Sequence, residues 1–300
     1  MEYIKEITSL KVGKIEENVF MKKNTSFKIG GKVDYLIHPK NIEKLIQLIK
    51  VLKKYNIKYK VVGNGSNLIF SDKDYKGVII KLDKFDSLEI KDRIVNVGSG
   101  YNLMKLADFV SKKGLTGMEF ATGIPGTVGG AIFMNAGAYN FDMGYIVSEV
   151  KVLTNDLKIK TLYNKDMNFH YRSSFLQKNK DFICVSVKLV LKQSSKLEIQ
   201  KLIEERRQRR ILSQPLEYPS AGSVFRNPKD DYAGRLIEAC DLKGYKIGGA
   251  CVSEKHANFI INTDNAKSSD VKDLIEHIKK QVKDKFSIEL KEEQEFVNWE

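Results

Sequence analysis

The residues best suited to chemistry form a glycine-rich stretch at positions 120–140. Five of the chain's 21 glycines lie there, at positions 123, 126, 129, 130 and 137. Where side chains are missing, backbone N–H groups can approach a ligand closely, or the chain can turn through positive φ. The stretch is too apolar for a solvated linker, and its glycines are too dense for a regular strand or helix. We predict a loop that holds phosphate or a flat cofactor, with a tight structural turn as the alternative.

A second glycine loop precedes it, Gly-Asn-Gly-Ser-Asn at residues 63–67. It lies between two apolar runs, and it offers several N–H donors together with the side chains of Ser66 and Asn67. The loop lacks the third glycine of the dinucleotide fingerprint G-x-G-x-x-G, and no helical pattern follows it. Asn-Gly is also common in hairpin turns. Two such loops, each beside strand-like sequence, favour a composite cofactor site.

Apolar periodicity predicts the elements that present these loops. Residues 42–52 have helical spacing behind a capping Asn41, and residues 59–62 read as a strand that delivers the first loop. This strand–helix–strand order suggests a small α/β lobe. Residues 101–113 are predicted to be a helix that leads into the central stretch. Strands of one antiparallel sheet are predicted at residues 149–153, 158–162 and 182–191.

The last third of the chain is predicted to contain three helices and a strand. An arginine-rich helix at about 197–212 is followed by a loop at 219–228. A second helix covers 232–242, a strand covers 259–262, and a long helix covers 268–286. Residues 1–20 are predicted to be a short amphipathic lead-in.

Composition describes an ordinary soluble globular protein of two or three domains, with 300 residues, 42% hydrophobic and 30% charged. No apolar run reaches the roughly 18 residues of a membrane span, and the polar N-terminus is no signal peptide. Cys184, Cys240 and Cys251 fit reduced core thiols of a cytosolic protein. The four histidines show no ligand spacing, so we expect no metal site.

The net charge of +13 suits anionic ligands, and it would also suit non-specific attraction to nucleic acid. The densest basic cluster, residues 206–210, lies on the predicted arginine-rich helix. No aromatic residues are interleaved with it, and no known nucleic-acid-binding module surrounds it. We therefore favour an exposed helix face with one or two arginines turned towards an anion, and we expect no nucleic-acid partner.

Several motifs, in a fixed order over nearly the whole chain, closely resemble UDP-N-acetylenolpyruvoylglucosamine reductases, flavoenzymes of bacterial cell-wall synthesis. The matching segments are residues 24–31, Gly-Asn-Gly-Ser-Asn at 63–67, Gly-Ile-Pro-Gly-Thr-Val-Gly-Gly-Ala at 123–131 with 134–139, Tyr-Arg-Ser-Ser at 171–174, 221–228, and His-Ala-Asn-Phe at 256–259. The ordered set is far more specific than any single loop.

The resemblance implies an α+β fold: an FAD-binding fold of the vanillyl-alcohol oxidase type in two lobes, plus a smaller α/β substrate-binding domain. The expected division is a lead-in at 1–22, an FAD-binding domain at 23–193 with lobes at about 23–85 and 86–193, and a substrate domain at 194–300. The compact length looks like the shorter form of the family.

The implied reaction has two steps. NADPH reduces non-covalently bound FAD, and the enolpyruvyl ether of UDP-N-acetylglucosamine then takes a hydride at its methylene carbon. The adjacent carbon carries the resulting negative charge, delocalised into the carboxylate, and must be protonated. The expected partners are therefore a UDP-sugar and NADPH, for a cytoplasmic monomer with no nucleic acid and no membrane contact.

The resemblance also implies site residues. Arg172 would present a fixed cation to the substrate carboxylate, and Ser223 matches the family's proton donor. Substrate contacts are expected at Asn227 and His256, and an arginine of the basic helix, such as Arg207 or Arg210, would meet the diphosphate. Cofactor contacts are expected at Gly63, Asn64, Gly65, Ser66, Asn67, Leu68, Gly123, Ile124, Pro125, Gly126, Thr127, Gly129, Gly130, Ala131, Asn135 and Gly137.

The chain departs from the family at its end, where a Glu-Val-Arg pattern is expected and Glu293-Gln294-Glu295 stands instead. We predict that Glu293 is the catalytic acid and that Glu295 shares a strand face with it, with Glu292 on the opposite face. Two other functions stay open from the sequence: an alcohol or sugar oxidase of the same fold, and a basic nucleic-acid-binding protein.

Overall fold

The computed structural model of the chain describes residues 2–299. The chain divides into two compact units. Among the described residues, the first unit comprises 2–17, 35–64 and 77–208, and the second comprises 18–34, 65–76 and 209–299. Both units are therefore built from separated segments of the chain. The division expected from the sequence, a lead-in followed by an FAD-binding domain and a substrate domain, stays a prediction, because compact units and domains are different divisions.

Eight α-helices are formed within residues 2–299. They are α1 (Glu2–Ser9), α2 (Ile42–Lys54), α3 (Leu103–Lys112), α4 (Val128–Met134), α5 (Phe175–Lys178), α6 (Lys196–Ser213), α7 (Ala233–Ala239) and α8 (Ser268–Phe286). A helix that crosses a bilayer needs a longer apolar stretch than any of these eight offers.

Eighteen strands are formed within the same described part of the chain. They are β1 (Gly13–Phe20), β2 (Lys32–Pro39), β3 (Tyr59–Val62), β4 (Leu68–Phe70), β5 (Tyr75–Lys81), β6 (Leu88–Lys91), β7 (Ile94–Gly98), β8 (Leu115–Thr116), β9 (Gly137–Ala138), β10 (Phe141–Asp142), β11 (Val147–Leu153), β12 (Ile159–Tyr163), β13 (Ile183–Val190), β14 (Lys192–Gln193), β15 (Lys246–Ile247), β16 (Ala250–Val252), β17 (Ile260–Asn262) and β18 (Glu295–Val297).

The largest sheet of the first unit has the strand order β12-β11-β13-β7-β6, with every neighbouring pair antiparallel. The predicted antiparallel sheet is thereby confirmed, because β11, β12 and β13 cover its three predicted strands. One core cluster packs α3 and α4 beside this sheet, around side chains such as Leu106, Val128 and Val187. A four-stranded sheet has the order β1-β2-β5-β3, and β3 and β5 run parallel.

The second unit is organised around α8. Its apolar stripe, including Val271, Leu274 and Ile278, packs in one core cluster with residues of α7, β16 and β17. The strands β15, β16 and β17 form an antiparallel sheet. The last strand, β18, runs parallel to β4 in register Glu295↔Leu68. The chain end therefore pairs with the segment that follows the first glycine loop.

Local sequence signals located most helices correctly. The side chain of Asn41 accepts from the backbone N–H of Lys44 at 3.0 Å and caps α2 as predicted. The N-terminal lead-in contains α1 and all of β1, and Tyr3 and Ile7 are buried in a core cluster with α2. One prediction is wrong: the central stretch, whose glycines were expected to be too dense for a helix, contains the helix α4, although two of its seven residues are glycine.

Candidate active site

The two glycine loops meet within the first unit. A Cβ built on Gly63 would lie 2.6 Å from the hydroxyl oxygen of Thr127, well inside contact distance. Thr127 is buried and caps the N-terminus of α4, where its Oγ1 accepts from the backbone N–H of Gly130 at 3.2 Å. Gly63 is therefore required for the first loop to reach the start of α4. This contact supports the predicted composite site.

Several backbone donors around this contact stay available for a ligand. The N–H groups of Gly63, Asn64, Gly123, Gly126 and Thr127 donate to no other residue in the described part of the chain. Gly126 has φ +148°, which side chains rarely adopt. A Cβ on Gly130 would have only Thr127 Oγ1 near it, at 3.5 Å, so that glycine faces open space. The arrangement resembles the N–H concavities that bind anions.

Gly129 has a different role. Its N–H donates to the carbonyl of Ser99 at 2.7 Å, and a Cβ there would lie 2.9 Å from the Cβ of Ser99. Close packing of α4 against the end of β7 thus explains this glycine without any ligand. Ala131 is also buried, on the core side of α4.

Asn135 and Gly137 likewise serve the fold. Asn135 ends α4 in the left-handed conformation, and its buried side chain accepts from Gly144 N and donates to His170 O, both at 2.9 Å. A Cβ on Gly137 would meet Asp142, its partner in the β9–β10 hairpin. The cofactor contacts predicted for these two residues stay predictions, and the contacts seen are internal.

Arg172 is held in an unusual backbone conformation beside the same hairpin. Its φ is +51°, its Nη2 donates to the carbonyl of Gly137 at 2.8 Å, and its guanidinium lies 5.1 Å from the ring centroid of Tyr171. Left-handed backbone at a non-glycine residue is costly, so surrounding contacts must maintain it. The backbone that carries the Arg172 guanidinium is therefore held in a fixed conformation.

Gln177 supplies one of those contacts, and sequence reasoning missed it. Its Nε2 donates to the carbonyl of Arg172 at 3.0 Å and to the carbonyl of Phe133 at 2.9 Å. It thereby joins the arginine backbone to the end of α4. Burial raises the pKa of Asp142, and the nearby positive charge of Arg172 opposes that rise.

In the second unit, the rest of the first glycine loop lies against the chain end. Gly65 has φ +65°, and a Cβ there would approach the backbone of Asn24 and Thr25 within about 3.0 Å. Asn67 donates through Nδ2 to the carbonyl of Glu293 at 3.0 Å, and its own carbonyl accepts from Glu295 N at 2.9 Å. Leu68 pairs with Glu295, and Ser66 is half-buried.

The Ser223 loop is joined to the same chain end. Ser223 pairs with Phe259 through an isolated bridge, and the next carbonyl, Val224 O, accepts from Glu293 N at 2.8 Å. The Ser223 hydroxyl bonds to no other residue among positions 2–299. Gly222 has φ +77°, and no atom lies within 4 Å of a Cβ built on it. Ser223 therefore offers a free hydroxyl beside open space.

Asn258 holds this loop in place, and sequence reasoning assigned it no role. It is 4% exposed; its Oδ1 accepts from Phe225 N at 3.0 Å, and its Nδ2 donates to Phe225 O at 2.8 Å. Its own carbonyl accepts from Val224 N at 2.9 Å. These three bonds give the loop a fixed backbone.

His256 is half-buried beside the start of α7. Burial lowers the pKa of its imidazole, so the ring is neutral near pH 7. Its Nδ1 accepts from Asn258 N at 3.2 Å, and this contact assigns the remaining proton to Nε2. Nε2 has no partner within residues 2–299, so it is a donor available to a ligand.

Asn227 is exposed, and its Oδ1 accepts from Ala233 N at 3.1 Å at the start of α7. That side chain thus has a structural role in addition to the predicted substrate contact. Between it and Ser223, Arg226 is half-buried, and its Nε is buried with no hydrogen-bond partner in the described chain. Arg226 belongs to the same loop as Ser223, so the sequence already offered it as a candidate for binding an anion, but it was not among the predicted site residues.

The acidic segment differs from the extended strand that was predicted. β18 begins only at Glu295, so Glu293 lies outside it, and strand alternation does not place the two carboxylates on one face. Glu292 pairs with Phe225 by an isolated bridge, and its carboxylate bonds to Lys279 at 2.8 Å. Pairing with Asn67 and the Ser223 loop, rather than strand periodicity, orders residues 292–294.

The arginine-rich helix α6 is almost entirely exposed, with Ile199 its one buried residue. Arg206, which was not singled out, lies 4.8 Å from the ring centroid of Tyr139, and the tyrosine hydroxyl donates to Arg206 O at 3.1 Å. Arg207 is exposed and lies 4.0 Å from Glu204. Arg210 is half-buried.

The cysteines fit the expectation of reduced core thiols. All three are free, and burial raises the pKa of Cys184 to about 12, so that thiol is unreactive. No group of three or more metal-binding side chains occurs in the described part of the chain.

Two family models match the chain: an FAD binding domain over residues 33–163, and the C-terminal domain of UDP-N-acetylenolpyruvoylglucosamine reductase over residues 214–297. A UDP-N-acetylenolpyruvoylglucosamine reductase of Anoxybacillus flavithermus is 46% identical over 293 residues, covering 97% of each chain. One of Caldanaerobacter subterraneus is 47% identical over 297 residues, covering 99% of this chain and 97% of that one.

Among solved structures, the UDP-N-acetylenolpyruvylglucosamine reductase of Thermus caldophilus matches with a TM-score of 0.82 at 32% identity. The match covers 94% of this chain and 98% of that chain. Together with the FAD-binding model, it confirms the predicted α+β fold with an FAD-binding domain.

The geometry of Asn258 leads to a stability prediction. The Asn258→Ala substitution should lower the free energy of unfolding by about 2–4 kcal/mol, because two buried backbone groups of Phe225 lose their partner. Urea unfolding followed by circular dichroism measures this. The control is Thr263→Ala, which removes an exposed hydroxyl bond to Gly249 O and should cost less than about 1 kcal/mol. Equal losses in the two variants would contradict the assignment.

Proposed function

The chain belongs to the UDP-N-acetylenolpyruvoylglucosamine reductase family, and from that membership we propose how its residues carry out the reaction. The protein is a flavin-dependent oxidoreductase that reduces UDP-N-acetylglucosamine enolpyruvate in peptidoglycan synthesis. Family membership decides against a sugar oxidase and against a nucleic-acid-binding protein.

We propose that FAD is held through the unpartnered N–H groups around the contact of Gly63 with Thr127. Gly126, with its positive φ, and Gly130, which faces open space, provide a surface without side chains, as a diphosphate or a flat ring requires. When bound there, FAD would supply the hydride-transfer chemistry between NADPH and the methylene carbon of the enolpyruvyl group. The residues present therefore fit the cofactor.

Arg172 is proposed to stabilise the negative charge that develops towards the substrate carboxylate. Its planar guanidinium can bind a carboxylate through two donors, and one of its nitrogens is already fixed on Gly137 O. Because the guanidinium is already in position before the reaction begins, it needs little reorganisation when negative charge develops on the substrate. The left-handed backbone and the bond from Gln177 supply that rigidity.

Ser223 is proposed to protonate the carbon next to the carboxylate, with Glu293 supporting that step. The observation that carries this proposal is the 2.8 Å bond from Glu293 N to Val224 O, which joins the acid to the residue after the serine. A serine hydroxyl is a weak acid, so it works only beside a strongly basic carbon. The Ser223 hydroxyl has no internal partner to compete for its proton within residues 2–299.

We propose that the anionic and polar parts of the UDP-sugar are met by Arg226, by the Nε2–H of His256 and by Asn227. A buried Nε without a partner gains most from an anionic ligand, because its desolvation is then offset. The choice of NADPH as reductant, the cytoplasmic location and the monomeric state are part of the proposal. They rest on the family and on the composition.

The first functional prediction concerns the glycine site. Gly126→Val should give a folded protein with little bound flavin, because valine does not tolerate a φ of +148°. Gly130→Ala should leave the stability of the flavin-free protein unchanged, since its Cβ meets only Thr127 Oγ1 at 3.5 Å, yet weaken FAD binding. Flavin absorbance and titration with FAD measure both effects. Full flavin content in both variants would mean that the cofactor binds elsewhere.

The second prediction separates the two half-reactions. Ser223→Ala should leave reduction of the flavin by NADPH nearly intact and slow its reoxidation by the enolpyruvyl substrate about 10²–10⁴-fold, the usual contribution of positioned acid catalysis. Stopped-flow absorbance follows each half-reaction. Equal loss in both would assign Ser223 a structural role.

The third prediction concerns the acidic segment. Glu293→Gln should slow reoxidation by substrate and spare flavin binding, because it removes the charge and keeps the backbone bond to Val224. Glu292→Gln is the control and should be nearly silent, since that carboxylate pairs with Lys279. Steady-state rates of both variants and of Glu295→Gln are compared. A severe loss of the rate confined to Glu295→Gln would instead identify Glu295 as the catalytic acid.

A further inference from the structure

We propose that Gln294 is a positioning residue that fixes the backbone in front of Ser223 and so sets where the serine hydroxyl lies. The inference rests on the proposed role of Ser223 as proton donor. Gln294 stands where the family pattern led us to expect valine, and it is neither a strand residue nor a predicted site residue.

Gln294 and the preceding residue, Glu293, hold the backbone on the two sides of Ser223. Gln294 Nε2 donates to the carbonyl of Gly222 at 3.0 Å, and Glu293 N donates to the carbonyl of Val224 at 2.8 Å. The carbonyls on both sides of Ser223 are thus held by consecutive residues of one segment. A movement of that segment would carry the serine with it.

The amide orientation has one physical solution. A backbone carbonyl only accepts, so Gln294 must turn its NH₂ group towards Gly222. The residue is 4% exposed, and its Oε1 is buried without a partner in the described chain. Burying an unpaired amide oxygen is costly. The bond to Gly222 is the one compensating contact that the side chain makes in residues 2–299.

The hydrogen bond from Gln294 matters at Gly222 because the backbone there has little other restraint. Its φ of +77° and the open space around its α-carbon mean that no side-chain packing restrains the peptide preceding Ser223. Glycine backbone is the most easily rotated in a chain. The bond from Gln294 therefore replaces the missing steric restraint, and proton transfer depends on such positioning.

The test uses the FAD-loaded enzyme and the Gln294→Met variant, which keeps the side-chain length and removes the donor. Reoxidation by the enolpyruvyl substrate should slow about three- to tenfold, as expected for one hydrogen bond of ordinary strength. Reduction by NADPH should be unchanged. The solvent deuterium isotope effect on reoxidation should rise, because delivery of the proton becomes slower. An unchanged reoxidation rate and isotope effect would overturn the proposal.

A second variant tests the donor itself. In Gln294→Glu, an ionised carboxylate faces the Gly222 carbonyl and repels it, whereas the protonated acid can donate. Burial raises the pKa of the new carboxyl, so reoxidation, measured relative to wild type at each pH, should slow as the pH rises through that pKa and recover as the pH is lowered. A pH-independent ratio would contradict a role for the donor.

Two controls separate the possible failures. Asp72→Ala removes a bond to Ser268 N, 2.6 Å long, elsewhere in the second unit; it should lower the melting temperature without changing the isotope effect. An isotope effect that rises in this control as well would overturn the specific role of Gln294. Ser223→Ala is measured alongside. If Ser223→Ala reoxidises normally, the proposed role of Ser223 as proton donor fails; if it is slow while Gln294→Met is normal, this inference alone fails.

Discussion

The 2.8 Å hydrogen bond from Glu293 N to Val224 O is the contact on which the chemistry proposed for the second unit depends. It brings a serine loop and an acidic chain end together although they are far apart in sequence. Further bonds extend the pairing on both sides, from Gln294 to Gly222 and from Asn67 to Glu293. Hydrogen bonds to backbone carbonyls are directional, so together these bonds set the register of all three segments.

In the first unit, steric exclusion has the corresponding role. Gly63 and Gly129 have no room for a side chain, because Thr127 and Ser99 occupy the space. These two glycines serve packing between elements. Gly126 and Gly130 are different: one has a restricted backbone angle and the other faces open space. A glycine-rich motif therefore combines residues that build a support with residues that leave its surface bare.

Burial sets the electrostatic character of both units. It lowers the pKa of His256, which keeps that ring neutral near pH 7, and it raises the pKa of Asp142 beside Arg172. A neutral imidazole donates a hydrogen bond without adding charge. Arg172 in the first unit and Arg226 in the second are the cations proposed to meet substrate anions, while most of the basic helix α6 stays solvated. The net charge of +13 is thus a poor guide to the site, because most of it lies on exposed side chains.

The amino-acid sequence by itself determined the helices with clear caps and apolar stripes, the antiparallel strands, and the two glycine loops, because these signals are local. The motif order also determined the family. Only the tertiary structure decided which glycines pack against protein, that Asn135 bonds inside the fold, and that Gln177 and Gln294 support the proposed catalytic residues. Each of those roles depends on a partner brought close by folding, and spacing along the chain carries no record of such a partner.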